Sequence, residues 1–159
     1  ALAQGRVAEL PRPKPRAAPI DVAVEVLVVR KSGALLFERR AADAARMSGL
    51  WELPTREVGG GTRLFRATWR LAGLECTGIE LGRIRHSITS HRIVARILEG
   101  ALRGAAELPP DFRWIHRRAA ADMGLTGMTR KALALESDNT VPEQISSDSR
   151  TAARAARIR

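Results

Sequence analysis

Two short stretches of the chain carry residues whose types and spacing could do chemistry. The first, TRLFRATWRLAG at 62–73, reads as a helix. Leu64, Phe65, Thr68, Trp69, Leu71 and Ala72 recur at helical spacing, Thr62 stands where a hydroxyl caps a first turn, and Gly73 where a helix stops. A helix serving metal-dependent phosphate chemistry must present carboxylates, because magnesium is a hard cation that takes oxygen ligands. This one offers Arg63, Arg66 and Arg70 and neither Asp nor Glu. Glu57, just before it, reads as a solvated loop residue, and one acid among three arginines does not hold magnesium at useful affinity. Metal-assisted hydrolysis is therefore not expected, and no residue is assigned a catalytic or metal-binding role.

The second stretch is HSITSH at 86–91. Ser and Thr hydroxyls both donate and accept, so Thr89 and Ser90 can read a ligand edge that mixes the two. They can equally satisfy the amides of an ordinary polar turn. Arg83, Arg85 and Arg92 flank the stretch and are candidates for phosphate contacts that hold a nucleic acid in register. His86 reads as a structural residue, and a site built from His86, His91 and His116 has no Asp or Glu at ligand spacing. Trp51, Trp69 and Trp114 could stack on bases, but their apolar neighbours make them core residues.

The elements that must position these residues alternate in period. DVAVEVLVVR (21–30) and ALLFERR (34–40) form a predicted hairpin about Ser32-Gly33. A short strand at 50–53 is stopped by Pro54, and strands at 75–85 and 91–100 bracket the HSITSH segment. A last strand spans 112–115, and a C-terminal helix or pair of helices is interrupted by GLTG at 124–127. The fold class is α+β with a β-rich centre.

The 159 residues suit one domain with tails. Of the 27 basic residues only Lys14, Lys31 and Lys131 are lysine, and the net charge is +10. Residues 1–20 contribute +3 (four basic, one acidic), 136–159 contribute zero (four of each), and 21–135 the remaining +7. A basic folded part favours an anionic partner such as nucleic acid. The single cysteine, Cys76, allows neither an internal disulfide nor a multi-cysteine metal site. With no apolar run of membrane-spanning length and no secretory signal, a cytoplasmic location is expected. The initial Ala suggests a processed or truncated product.

ERR at 38–40 followed by SGLWELP at 48–54 resembles the C-terminal, Nudix-like domain of A/G-specific adenine DNA glycosylases, the MutY family. ALAQGRVAELPRPKPRAAP is similar to the linker after that family's last cluster cysteine, and IRHSITSHRI (84–93) to its H-x-[FI]-[ST]-H loop. FRWIHRRAAADMGLTGMTRKAL is similar to its closing strand and helix. The resemblance implies a Nudix-like mixed β-sheet flanked by helices, with a degenerate Nudix box. Arg66 matches the signature arginine, while Ala67, Arg70 and Leu71 stand where its glutamates fall. It also implies a linker at 1–20 after a glycosylase domain, a recognition domain at 21–135 and a disordered tail at 136–159.

The implied function is sensing 8-oxoguanine opposite adenine in base excision repair, with double-stranded DNA and the linked glycosylase domain as partners. No cofactor is implied for this chain; the family's 4Fe–4S cluster would lie upstream. A bacterial, nucleoid-associated cytoplasmic location follows. Thr89 matches the recognising Ser/Thr, and Ile88 the apolar residue that presses on a base step. Ser90 departs from the family's histidine, with His91 one position later. The chain alone is expected to be inactive. Two alternatives are a divergent Nudix hydrolase of oxidised nucleotides such as 8-oxo-dGTP, and an interaction module for repair proteins.

Overall fold

The computed structural model describes residues 15–59, 64–104 and 107–139. Most of the proposed linker at 1–20, most of the tail at 136–159, Thr62 and Arg63 fall outside them. Seven strands form one mixed sheet, and two helices follow. The strands are β1 (Ile20–Lys31), β2 (Ala34–Arg39), β3 (Trp51–Glu52), β4 (Thr55–Glu57), β5 (Leu74–Ile88), β6 (His91–Leu102) and β7 (Phe112–His116). The helices are α1 (Arg117–Ala120) and α2 (Gly127–Asn139).

The valine-rich run of β1 explains its central place. Val22, Val24, Val26 and Val28 bury one face, and Leu27 and Val29 the other, as a strand covered on both sides requires. It runs parallel to β6 over ten residue pairs, from Ile20↔His91 to Val29↔Gly100. The strand order is β3-β2-β1-β6-β5, with β4 added to β1 and β7 to β2. The expected hairpin between β1 and β2 forms with Arg30 opposite Leu35. Ser32 and Gly33 turn it with φ of 50° and 78°, the left-handed pair that matches strand twist.

The helical reading of 62–73 is overturned. Residues 64–73 form a string of bends and turns. Glu57 is the reason: its Oε2 accepts hydrogen bonds from the amides of Leu64 (2.7 Å) and Phe65 (2.9 Å), and its own amide donates to Arg66 O at 2.6 Å. Those three bonds tie the segment to the end of β4. Glu57 is 7 % exposed, so it is a buried anchor and not the solvated residue expected. Further on, the ring of Trp69 packs 4.7 Å from the Arg56 guanidinium, and Leu71 drops into the core beside Leu74 and Leu98. Arg66 and Arg70, four apart, would also repel on a helix face by a few tenths of a kcal/mol, of the order seen for like charges at that spacing.

The C-terminal helix begins as GLTG suggests. Thr126 Oγ1 accepts from the Thr129 amide at 3.3 Å, which makes Thr126 the N-cap. Met128, Thr129, Ala132 and Glu136 are buried at helical spacing, and the Thr129 hydroxyl accepts from the Leu53 amide at 3.1 Å. The helix runs on through Glu136 and Ser137, which corrects the boundary placed at 136. Glu136 is held by Arg30 at 2.9 Å and by Arg117, so burial and charge pairing extend the helix past the point where hydropathy fades. Among the described residues no helix is long and apolar enough to cross a membrane.

Candidate functional site

The ERR and WELP segments are locked together by charge. Arg40 donates from Nη1 to both oxygens of Glu52 at 3.0 Å. Arg70 donates to Glu38 at 2.8 Å and also engages Asp111. Trp51 lies between two guanidinium groups, 5.9 Å from Arg39 and 5.5 Å from Arg113. All three tryptophans are half-buried against the core with a cation over each ring. Burial pushes Glu38 and Glu52 above the ordinary carboxylate range, although Arg70 and Arg40 pull them back. Those acids are therefore committed to arginines, and among the described residues no three His, Cys, Asp or Glu side chains gather to hold a metal ion.

The HSITSH segment is mostly strand. β5 and β6 pair out to Ile88↔His91, leaving Thr89 and Ser90 as a two-residue turn, both exposed. The turn is braced from one side, where the Ile20 amide donates to Ser90 O at 2.8 Å. Thr89 has φ of 52°, an outlier for a β-branched residue and one that costs about 1–2 kcal/mol.

Strand alternation then divides the flanking residues between two faces. Ile84, His86 and Ile88 face inward, with the His86 ring against Gly127. Burial, joined by the charge of Lys131, holds the His86 pKa below its ordinary value. His91 is 8 % exposed and sits with Ile88 and His86 in the wall of a cavity of about 440 Å³. His116, on β7 opposite Ala34, does not join them. Arg83, Arg85 and Arg92 lie on the opposite, solvent face. Arg92 is bound to Asp21 at 2.8 Å and Arg83 to Glu80 at 2.6 Å, whereas no carboxylate among the described residues pairs with Arg85. Ile88, Thr89, Ser90 and His91 thus share one hairpin end, and of the three arginines only Arg85 lacks a carboxylate partner among the described residues.

Leu64 and Phe65, read from the sequence only as the apolar face of a helix, share the cavity wall with Met128, which like Asp111 carried no sequence signal for the site. The ERR and WELP words marked the cavity floor without showing that their charges pair.

With this geometry in view, the chain can be set beside known proteins. No protein-family model and no curated protein matches it. Among solved structures, it aligns with a MutT protein from Methanosarcina mazei at TM-score 0.59 and 16 % identity, over 78 % of this chain and 99 % of that one. The fold is Nudix-like. The C-terminal domain of mouse MUTYH, solved in complex with human PCNA, aligns at TM-score 0.54 and 17 % identity, over 78 % of this chain and 94 % of that one. A MutT NUDIX hydrolase from Burkholderia pseudomallei aligns at TM-score 0.53 and 22 % identity, over 72 % and 97 %. Identities this low establish the fold alone. In the cleft the carboxylates of Glu52 and Glu38 are held by Arg40 and Arg70.

Proposed function

We propose that this Nudix-like domain senses 8-oxoguanine opposite adenine in duplex DNA, acting for an adenine DNA glycosylase. The observation that carries the reading is the exposed, strained hairpin tip at Thr89, set beside a cleft in which Glu52 and Glu38 are paired with arginine. 8-Oxoguanine differs from guanine in having a donor at N7 and a carbonyl acceptor at C8. A single hydroxyl can accept from the first and donate to the second. Thr89 supplies that hydroxyl, Ser90 a second, and Ile88, half-buried at the last strand pair, an apolar shoulder for a base step. Arg85 supplies a phosphate contact on the outer face. The test is binding of an 8-oxoG:A duplex against a G:A duplex. Tighter binding of the first, abolished by Thr89→Ala, supports the reading, and equal affinity for both duplexes refutes it.

A second reading, a hydrolase of oxidised nucleotides such as 8-oxo-dGTP, is favoured by the MutT proteins among the similar structures. It requires magnesium-dependent pyrophosphate or phosphate release from the purified chain. Against it stands Arg70 where that chemistry needs a carboxylate. A third, docking of a repair partner, draws on the MUTYH domain solved with PCNA. Capture of such a partner unaffected by Thr89→Ala would favour it.

A further inference from the structure

Even well-exposed arginines find acids in this fold, as Arg92 does with Asp21 at 2.8 Å and Arg103 with Glu75 at 2.5 Å. The patch around Trp51 departs from that pattern. Arg39 on β2 pairs with Trp51 on β3, and Arg113 on β7 pairs with Phe37, two residues before Arg39. Strand alternation therefore sets all three on one face. The Arg39 and Arg113 guanidinium groups lie 5.9 and 5.5 Å from the Trp51 ring. Leu125 bridges Trp51, and its carbonyl accepts from Arg130 Nε at 3.5 Å, which brings a third cation to the patch. All three arginines are exposed, and no carboxylate among the described residues pairs with any of them. Like charges gathered in this way repel, and an anion relieves the repulsion. Arg39 commits only Nε to a hydrogen bond, with the Gly49 carbonyl at 3.3 Å, and leaves both Nη groups to donate. Guanidinium forks of this kind match the oxygens of a phosphate.

The patch stands at the same end of the molecule as the hairpin. Gly49 closes the loop whose Arg46 and Met47 line the cavity together with Ile88 and His91, and Thr126, next to Leu125, lines it too. We propose that Arg39, Arg113 and Arg130 form a phosphodiester-binding patch that grips the DNA backbone across the cleft from the Thr89 hairpin. Each strand of a duplex brings a phosphate about every 3.4 Å along the axis, so one strand meets several of these cations where a lone carboxylate meets one. Such contacts carry no sequence information; they fix the register in which the hairpin reads a base. The choice of DNA rests on the reading above, whereas the cation cluster does not.

The experiment measures binding of the full chain to 8-oxoG:A and G:A duplexes over a range of salt concentrations. Arg39→Gln combined with Arg113→Gln should lower the slope of log affinity against log salt by about 1.8, two phosphate contacts at about 0.9 each. The ratio of the two affinities should stay as it was. Arg39→Lys combined with Arg113→Lys keeps the charge and should keep the slope. Arg130→Gln, at an exposed helix position, should lower it by about 0.9, and it carries the test if the double Gln variant does not fold. In the parent chain the Trp51 indole N–H resonance should move on titration with either duplex. An unchanged slope in the folded variants overturns the patch, and leaves the hairpin reading standing where lesion preference persists. A lowered slope with equal affinity for both duplexes supports the patch and refutes the hairpin reading. Absence of measurable duplex binding overturns both. Retention of a glutamate-rich peptide by the parent chain, lost in the double Gln variant while the DNA slope is unmoved, overturns the proposal in favour of an acidic protein partner.

Discussion

The floor of the cleft and the tip of the β5–β6 hairpin solve opposite problems. On the floor, three acids are bound to arginines: Glu52 to Arg40, Glu38 and Asp111 to Arg70. At the tip, Thr89 and Ser90 stand in solvent on a conformation that a β-branched residue resists. The floor pairs buried charges with one another, whereas the tip carries two exposed hydroxyls on a strained turn. The β1–β2 turn sharpens the contrast, since it places an unbranched Ser32 at φ 50° and a glycine at φ 78° where the tip uses a β-branched residue.

The comparison breaks most readily at the floor. Arg40→Ala leaves Glu52 buried without its partner, and we expect a loss of about 3 kcal/mol in urea denaturation. The loss should shrink on acidification: burial already raises the Glu52 pKa, so the native state of the variant takes up its proton first and regains stability as the pH falls toward 4.5. A pH-independent loss would mean that packing, not charge, holds the floor.

At the tip, Thr89→Ala should remove the preference for 8-oxoG:A over G:A, about 1–3 kcal/mol by the measure of a well-placed polar contact, with little change in stability. Thr89→Gly relieves the backbone strain, so we expect unfolding free energy to rise by about 1 kcal/mol while the same preference disappears. A variant that gains stability and keeps lesion preference would separate strain from recognition.

Smaller effects should follow on the strands that support the tip. Arg85→Ala should lower the salt dependence of DNA binding by about one counterion, and Arg92→Ala by less, because Asp21 already engages Arg92. His86 gives the smallest effect. Its folded pKa lies below the ordinary 6.5, so the unfolded chain binds the proton first, and its contribution is complete above that value and lost as the pH falls through it. The melting temperature should therefore fall more steeply between about pH 7 and 5 in the parent chain than in His86→Gln.

Much of the architecture was legible in the chain. The β-branched run of β1, the Ser32-Gly33 turn, the paired strands around HSITSH and the helix after GLTG all appear close to where periodicity and turn chemistry place them. The run at 62–73 does not, because helical spacing of apolar residues is a local signal. Two amides held by the carboxylate of Glu57 from another element override it. At the site, the exposed hydroxyls could be read from residue type and turn position. Which arginines find a carboxylate among the described residues, and which histidine is buried, could not.

The amino-acid order alone determined the strand pattern, the three arginines and absent carboxylates of the run at 62–73, and the hydroxyl pair at Thr89 and Ser90. These depend on residue identity and on periodicity along a few neighbours. Tertiary structure alone decided that Arg70 would reach Glu38 and Asp111, that His91 would be buried in a cavity wall, and that no carboxylate among the described residues would pair with Arg85. Charge pairing and burial act across tens of residues of sequence and a few ångströms of space, and only folding sets the second distance.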